Sequence, residues 1–228
     1  MKKKAIVLLS GGLDSSVLLY YLTKGALKYD CYPLTILYGQ RHRKELNSAV
    51  KIAQSLSLPH KVVDLSCLRD LLASSLTGTG DIPYGYYANE TMKSTVVPNR
   101  NMILLSIAAG YAQTIKARYV AYAAHTGDHA IYPDCRSEFA NSMRESIKLG
   151  TGWDSDGIEL ITPFLPLLSK ADIVRIGIKL KVPFELTWSC YEGEDKACGQ
   201  CGTCIERLEA FRLNNVIDPI EYKSKAVK

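Results

Sequence analysis

The sequence predicts a doubly wound α/β fold with a parallel sheet and a small helical segment appended at the C-terminus. Three observations carry this reading. Short apolar runs alternate with helical stretches through most of the chain. The first apolar run breaks into Ser10-Gly11-Gly12 directly before a helical stretch. Four of the seven cysteines crowd into residues 190–204. Strands that alternate with helices require right-handed crossovers, and hence a parallel sheet covered on both faces.

The elements follow in order. Residues 5–10 read as a buried strand and 14–24 as a helix; 31–38 form a second strand. In 43–58 the residues Leu46, Ala49, Val50, Ala53 and Leu56 recur at helical spacing, and Pro59 stops that helix. A third strand is expected at 61–65 and a short helix at 67–76. Residues 78–97 are rich in Gly and Tyr and lack periodicity, which points to a lid or binding loop. Next come a helix over 99–116, a strand over 119–124, a loop over 125–135, and a helix marked by Phe139, Met143 and Ile147. A fifth strand spans 158–163. Ser169-x-x-Asp172 resembles a capping box ahead of the Ile173/Ile176/Leu180 helix. The expected units are 1–185 and 186–228, packed as one body. Segments 10–16, 38–44 and 125–136 leave strands at their carboxyl ends, where such sheets bind ligands, and are expected to converge on one pocket.

Apolar residues make up 47% of the 228 and charged residues 22%, enough for a continuous core. The net charge of +5 is mild and gathers at Lys2–Lys4, Arg41–Lys44 and the last six residues, as on a solvated surface rather than a nucleic-acid stripe. The apolar run after the first lysines is too short for an export signal, and no run of 18 apolar residues occurs, so a cytoplasmic protein without a membrane span is expected. In that compartment seven cysteines argue for metal binding or chemistry rather than disulfides.

A strand–Gly-Gly–helix junction is an anion site, because unpaired N–H groups and the positive end of the helix dipole favour phosphate. Gly11 and Gly12 would let the backbone approach a phosphate without a Cβ clash, and Ser10, Ser15 and Ser16 add hydroxyls. Asp14 repels phosphate, so it should bind magnesium or cap the helix turn. Two better-known phosphate loops do not fit. One requires a lysine that is absent, and the other requires different glycine spacing. The plain alternative is a tight turn with a Ser/Asp cap.

Cys190, Cys198, Cys201 and Cys204 follow C-x7-C-x2-C-x2-C spacing. Four thiolates so close can close a tetrahedral zinc site with no open position, which makes the metal structural; an iron–sulfur cluster is the rival. Zinc would staple the C-terminal helical segment to the body. Cys31 and Cys67 read as small core residues, and Cys135 lacks an evident activating base.

The stretch "SGGLDS" resembles the loop of the PP-loop ATP pyrophosphatases, which cleave ATP between its α and β phosphates. With "VPNRN" (97–101), "HTGDHAIYPDCRSEF" (125–139), "TPFLPLLSK" (162–170), "TWSCY" (187–191) and "CGQCGTC" (198–204), the chain resembles the 7-cyano-7-deazaguanine synthase family over nearly its whole length. The loop at 125–135 departs from the family's usual pattern, since Gly127 precedes Asp128 and His129 follows. The resemblance implies ATP-driven conversion of 7-carboxy-7-deazaguanine and ammonia to the nitrile, a precursor of queuosine and archaeosine, without a covalent enzyme nucleophile.

On that reading the stretch Leu9, Ser10, Gly11, Gly12, Leu13, Asp14, Ser15 and Ser16 binds magnesium-ATP, helped by Arg100. Ser10, Asp14, Ser15 and Lys170 are the expected catalytic residues. Asn99, Asn101, His125, Asp128, Tyr132 and Asp134 are expected against the substrate, with Asp134 accepting the N–H groups of the deazaguanine ring. Asn99 could instead cap its helix, and Tyr132 could pack rather than stack. His125 and His129 could shuttle protons. Tyr84, Tyr86 and Tyr87 could close the pocket or form an oligomer contact, and Trp188 should pack beside the metal site. No direct nucleic-acid contact is expected, and pairing into a homodimer is left open. Two rival readings remain: a PP-loop enzyme acting on transfer RNA (a thiolase or lysidine-type ligase), and a zinc-knuckle nucleic-acid binder with a vestigial loop.

Overall fold

The computed structural model describes residues 3–41, 43–78, 81–85, 90–128, 131–152, 156–193 and 195–223. His42, Tyr86, Tyr87 and His129 lie outside these. Five strands form one parallel sheet: β1 (Lys4–Leu8), β2 (Asp30–Leu37), β3 (Lys61–Asp64), β4 (Tyr119–Ala121) and β5 (Glu159–Ile161), in the order β3-β2-β1-β4-β5. The helices are α1 (Leu13–Lys24), α2 (Lys44–Ser55), α3 (Arg100–Thr114), α4 (Ser137–Thr151), α5 (Lys170–Lys179) and α6 (Gly202–Leu213).

The side-chain period of two in β1 divides the core. Ala5 and Val7 face one layer, with α1, α2 and α5, while Ile6 faces the other, with α3 and α4. Covered on both faces, the sheet reads as continuous apolar runs. The strand order reverses between β1 and β4, so the segments following these two strands diverge and leave a crevice at the carboxyl edge. Among the described residues no helix is long and apolar enough to cross a membrane.

The capping box at α5 forms. Ser169 Oγ accepts the Asp172 N–H, and the Asp172 carboxylate accepts the Ser169 N–H at 2.9 Å. The short helix expected over 67–76 does not. Only a 3-10 turn forms, Ser66–Leu68, and turns follow. The reason is local competition: Ser74 N–H donates to Thr77 Oγ1, Leu76 N–H donates to Ser74 Oγ, and Thr77 Oγ1 donates to the Leu72 carbonyl. Hydroxyls that capture main-chain groups in this way end a helix. Cys67, expected in the core, is exposed on the turn, whereas Cys31 is buried. The described parts of 78–97 are tied to the body. Tyr84 bridges to Cys201, and Glu90–Thr95 forms a 3-10 helix with Met92 fully buried.

The C-terminal segment is held by a buried ion pair. Arg207, fully buried in α6, meets Asp218 through Nε at 2.6 Å and Nη2 at 2.9 Å, and donates to Thr187 Oγ1 and the Phe184 carbonyl. Removing one partner strands a buried charge. Arg207→Met is expected to cost about 3–5 kcal/mol, read as a Tm lower by about 10 °C in a thermal melt. Adding Asp218→Leu should recover part of that loss, because no charge is then left uncompensated. A melt unchanged in the single variant would remove this pair from the stabilising interactions.

Candidate active site

The chain leaves β1 at Leu8 and turns sharply through Gly11, whose φ is +88°. A Cβ on Gly11 would lie 2.1 Å from the Glu45 carbonyl oxygen and 2.6 Å from the Ala49 nitrogen, both in α2. The glycine is therefore required by contact with α2. Gly12 is different: a Cβ there would meet Ser10 Oγ at 3.2 Å and the Trp188 carbonyl at 3.6 Å. The loop is braced by hydroxyls. Ser10 Oγ and Ser15 Oγ are 2.9 Å apart, Gly12 N–H donates to Ser10 Oγ, and Ser16 Oγ donates to the Gly12 carbonyl at 2.7 Å. Leu9 and Leu13 are buried, so only their main chain faces the loop. Two further anchors hold it: Thr35 Oγ1 donates to the Leu9 carbonyl while paired with His60, and Trp188 N–H donates to the Gly11 carbonyl.

Asp14 does not cap α1, whose N-terminus has no side-chain cap. Its carboxylate turns inward to Lys170 Nζ at 2.9 Å, with His125 Nε2 at 3.8 Å. Burial alone would raise the Asp14 carboxyl; the charges of Lys170 and His125 outweigh it and hold the group below its usual range. Among the described residues its buried Oδ1 has no hydrogen-bond partner. Lys170, the first residue of α5, is buried and also meets Glu206 of α6 at 2.9 Å. Glu206 escaped the sequence reading because its contact partners are distant in the chain. His125 is fully buried, and its Nδ1 lies 3.1 Å from the Gly127 N–H.

A cavity of about 240 Å³ opens at the switch point. Its floor is the loop after β1 with Asp14 and Lys170, and its walls include Tyr122–Ala124 after β4, Tyr38 and Gln40 after β2, Arg100 and Asn101 of α3, and Trp188 and Tyr191. Of the residues expected against the substrate, Asn101 stands on the wall. Its amide donates to the Asp134 carbonyl and to Cys135 Sγ, and its N–H donates to the Asp134 carboxylate. The Asp134 carboxylate thus serves the first turn of α3 and lies off the wall. Asn99 is exposed at the N-cap of α3 in a left-handed conformation, with no side-chain cap bond. Tyr132 is buried behind Arg100, whose guanidinium lies 5.9 Å from its ring centre, and its hydroxyl meets Thr95 and Tyr191. Asp128 ends a 3-10 turn, Thr126–Asp128, and its side chain is outside the described set.

One wall residue has no precedent in the sequence reading. Glu45, in the first turn of α2, lines the cavity, and burial pushes its carboxyl up to about 7 against the pull of Arg100. It directly follows the basic run 41–44, which reads from sequence as solvated surface.

The four clustered cysteines are all buried, and their sulfurs lie within 4.8 Å of one another. A site for one metal ion is therefore formed. Cys198 and Cys201 N–H groups donate to Cys190 and Cys198 sulfurs at 3.3 Å each, and Thr203 Oγ1 sits 3.3 Å from Cys201 Sγ. Hydrogen bonding from Cys190 draws the thiols of Cys198, to about 6, and Cys201 down toward thiolate. Trp188 packs against this cluster and donates from Nε1 to the Cys190 carbonyl.

Residues 4–215 match the family model described as Queuosine biosynthesis protein QueC. A 7-cyano-7-deazaguanine synthase of Archaeoglobus fulgidus is 52% identical over 218 residues, 95% of this chain and 89% of the relative. The chain belongs to the 7-cyano-7-deazaguanine synthase family. A second member of that family, from Caldicellulosiruptor saccharolyticus, is 52% identical over 96% of both chains. The 7-cyano-7-deazaguanine synthase family favours the synthase reading of the sequence over the transfer-RNA enzyme and the nucleic-acid binder. Among solved structures, an NMN synthetase of Francisella tularensis shares the fold at TM-score 0.52 and 16% identity, covering 94% of this chain and 78% of its own.

The two loop glycines should separate in experiment. Gly11→Ala combines positive-φ strain with a backbone clash and is expected to cost about 2–4 kcal/mol. Gly12→Ala should stay within about 1 kcal/mol of the parent and act on nucleotide affinity instead. Thermal melts with and without ATP check both; equal destabilisation by the two substitutions would refute the packing argument.

Proposed function

We propose that this chain converts 7-carboxy-7-deazaguanine and ammonia to 7-cyano-7-deazaguanine at the expense of ATP. The observation that carries the reading is one cavity walled by both the phosphate loop and Arg100, in a chain that aligns with this synthase family almost end to end. A carboxylate resists nucleophiles because it is anionic. Its oxygen attacks the α phosphorus of ATP, pyrophosphate leaves, and a mixed anhydride forms. Ammonia adds to the acyl carbon, AMP departs with the former carboxylate oxygen, and an amide remains. Activation of the amide oxygen in the same manner, with loss of the nitrogen's protons, leaves the nitrile.

The chain's own contribution is positioning and charge. Arg100 meets the substrate carboxylate or a phosphate in a bidentate manner. The Ser10 and Ser15 hydroxyls, 2.9 Å apart, present donors to the phosphates. Lys170 neutralises charge as pyrophosphate departs, held in place by Asp14 and Glu206. These two carboxylates outnumber the single ammonium, and Asp14 Oδ1 is without a partner, so this corner suits the magnesium of magnesium-ATP, which would offset the phosphate charge.

The cysteine centre is assigned to structural zinc. A tetrahedral zinc–thiolate site puts sulfurs about 3.8 Å apart, from Zn–S bonds near 2.3 Å. The observed spread fits one ion. A cubane cluster interposes its own iron and sulfide atoms and needs wider spacing.

Incubation with ATP, ammonia and 7-carboxy-7-deazaguanine should yield the nitrile by mass spectrometry, and absence of that product would overturn the reading. Ser10→Ala with Asp14→Ala should lower turnover at least about 100-fold with the melt preserved; parental rates would remove the loop from the mechanism. Cys201→Ser should lose about one equivalent of zinc and melt the C-terminal segment first, seen as lost metal by elemental analysis and early amide exchange in α6. Unchanged metal content would show that the centre is assigned wrongly.

A further inference from the structure

Beside the main cavity lies a second chamber of about 50 Å³. Tyr38, Gln40, Glu45, Arg100 and Tyr191 line both, so the chambers adjoin. The smaller one also touches Arg41, which is exposed, so it lies between the main cavity and the surface. It has room for a water-sized molecule.

We infer that this side chamber is the ammonium subsite, and that Glu45 is the base that takes a proton from ammonium before the nitrogen attacks the acyl adenylate. The inference rests on the synthase reading above and deepens it. Glu45 is placed for the task by the same contact that requires Gly11 to lack a side chain, since its carbonyl abuts the phosphate loop where the α phosphate is activated. Its carboxylate makes no hydrogen bond among the described residues, unlike Asp134, whose carboxylate is spent on α3. The charged and titratable groups around it are Tyr38 and Arg41 from the stretch after β2, Arg100 from α3, and Tyr191. Burial holds the Glu45 carboxyl at about 7, with Arg100 pulling it down. A base in that range is about half ionised at neutral pH and holds a proton well enough to take one from ammonium. The Glu45 carboxylate offsets the repulsion between the arriving ammonium and the two arginines, and loss of the proton then removes that repulsion.

The step balances as follows. One N–H bond of ammonium breaks, its electron pair stays on nitrogen, and the proton goes to a Glu45 carboxylate oxygen. The nitrogen forms a bond to the acyl carbon. The bond from that carbon to the AMP oxygen breaks, and the second proton leaves nitrogen for water.

The test separates activation from amination. Exchange of labelled pyrophosphate into ATP, driven by 7-carboxy-7-deazaguanine, needs no ammonia, and Glu45→Gln should leave it within twofold of the parent. Product formation with ammonium should fall at least tenfold at neutral pH. Hydroxylamine, a far weaker base than ammonia and unprotonated at neutral pH, should be used equally by both proteins. In the unmodified protein, kcat/KM for total ammonium should rise with pH and level off above about 7, whereas Glu45→Gln should keep climbing as free ammonia accumulates. An unmodified profile that also keeps climbing would overturn the inference without recourse to any variant. Loss of pyrophosphate exchange in a folded Glu45→Gln protein would overturn it too, by placing Glu45 against the carboxylic substrate. Absence of exchange and of nitrile in the unmodified protein would instead defeat the synthase reading itself.

Discussion

The organisation of this molecule depends on one close approach, the backbone of Gly11 against the first turns of α2. Only a residue without a side chain, in a positive-φ conformation, allows it. On the other side the Gly11 carbonyl accepts the Trp188 N–H from the segment that leads into the cysteine cluster. The loop is thus clamped between a helix of the sheet layer and the C-terminal segment. Its serines cross-brace it from within, so its donors are arranged before any nucleotide arrives, and preorganisation of this kind spares reorganisation during the reaction.

The charges beneath the loop are built from three separate helices. Asp14 comes from α1, Lys170 from α5 and Glu206 from α6, and they meet because α5 and α6 pack in the same layer as α1. The ammonium of Lys170 is buried at low exposure and lies between two carboxylates, which offsets its desolvation. The C-terminal segment therefore does more than close the core: through Glu206 it supplies one of the contacts that hold Lys170 beside Asp14.

Much of this was legible in the sequence, and the parts that were not share a physical cause. The parallel sheet was readable because β1 and β2 are short apolar runs separated by a helix, a pattern that leaves few topologies. The cysteine cluster was readable because its ligands are local in sequence. The helix expected over 67–76 does not form because the Ser74 and Thr77 hydroxyls take the main-chain groups such a helix needs. Asp134 has the right chemistry for a substrate contact, yet its carboxylate is engaged by the Asn101 N–H, which only the tertiary structure reveals. Glu45 was hidden by its basic neighbours. A charge run reads as a solvated face, and nothing in residues 41–45 discloses that one side chain turns inward against Arg100.

The bond from Trp188 to Gly11 has a consequence for how the protein would fail under thiol oxidation or metal starvation. The indole and the cysteine sulfurs belong to one small cluster, and the main chain of that tryptophan holds the turn above the sheet. Damage to the knuckle cannot stay confined to the tail. It would loosen the loop after β1 while the five-stranded scaffold still stands, so the cavity floor would lose its shape ahead of bulk unfolding.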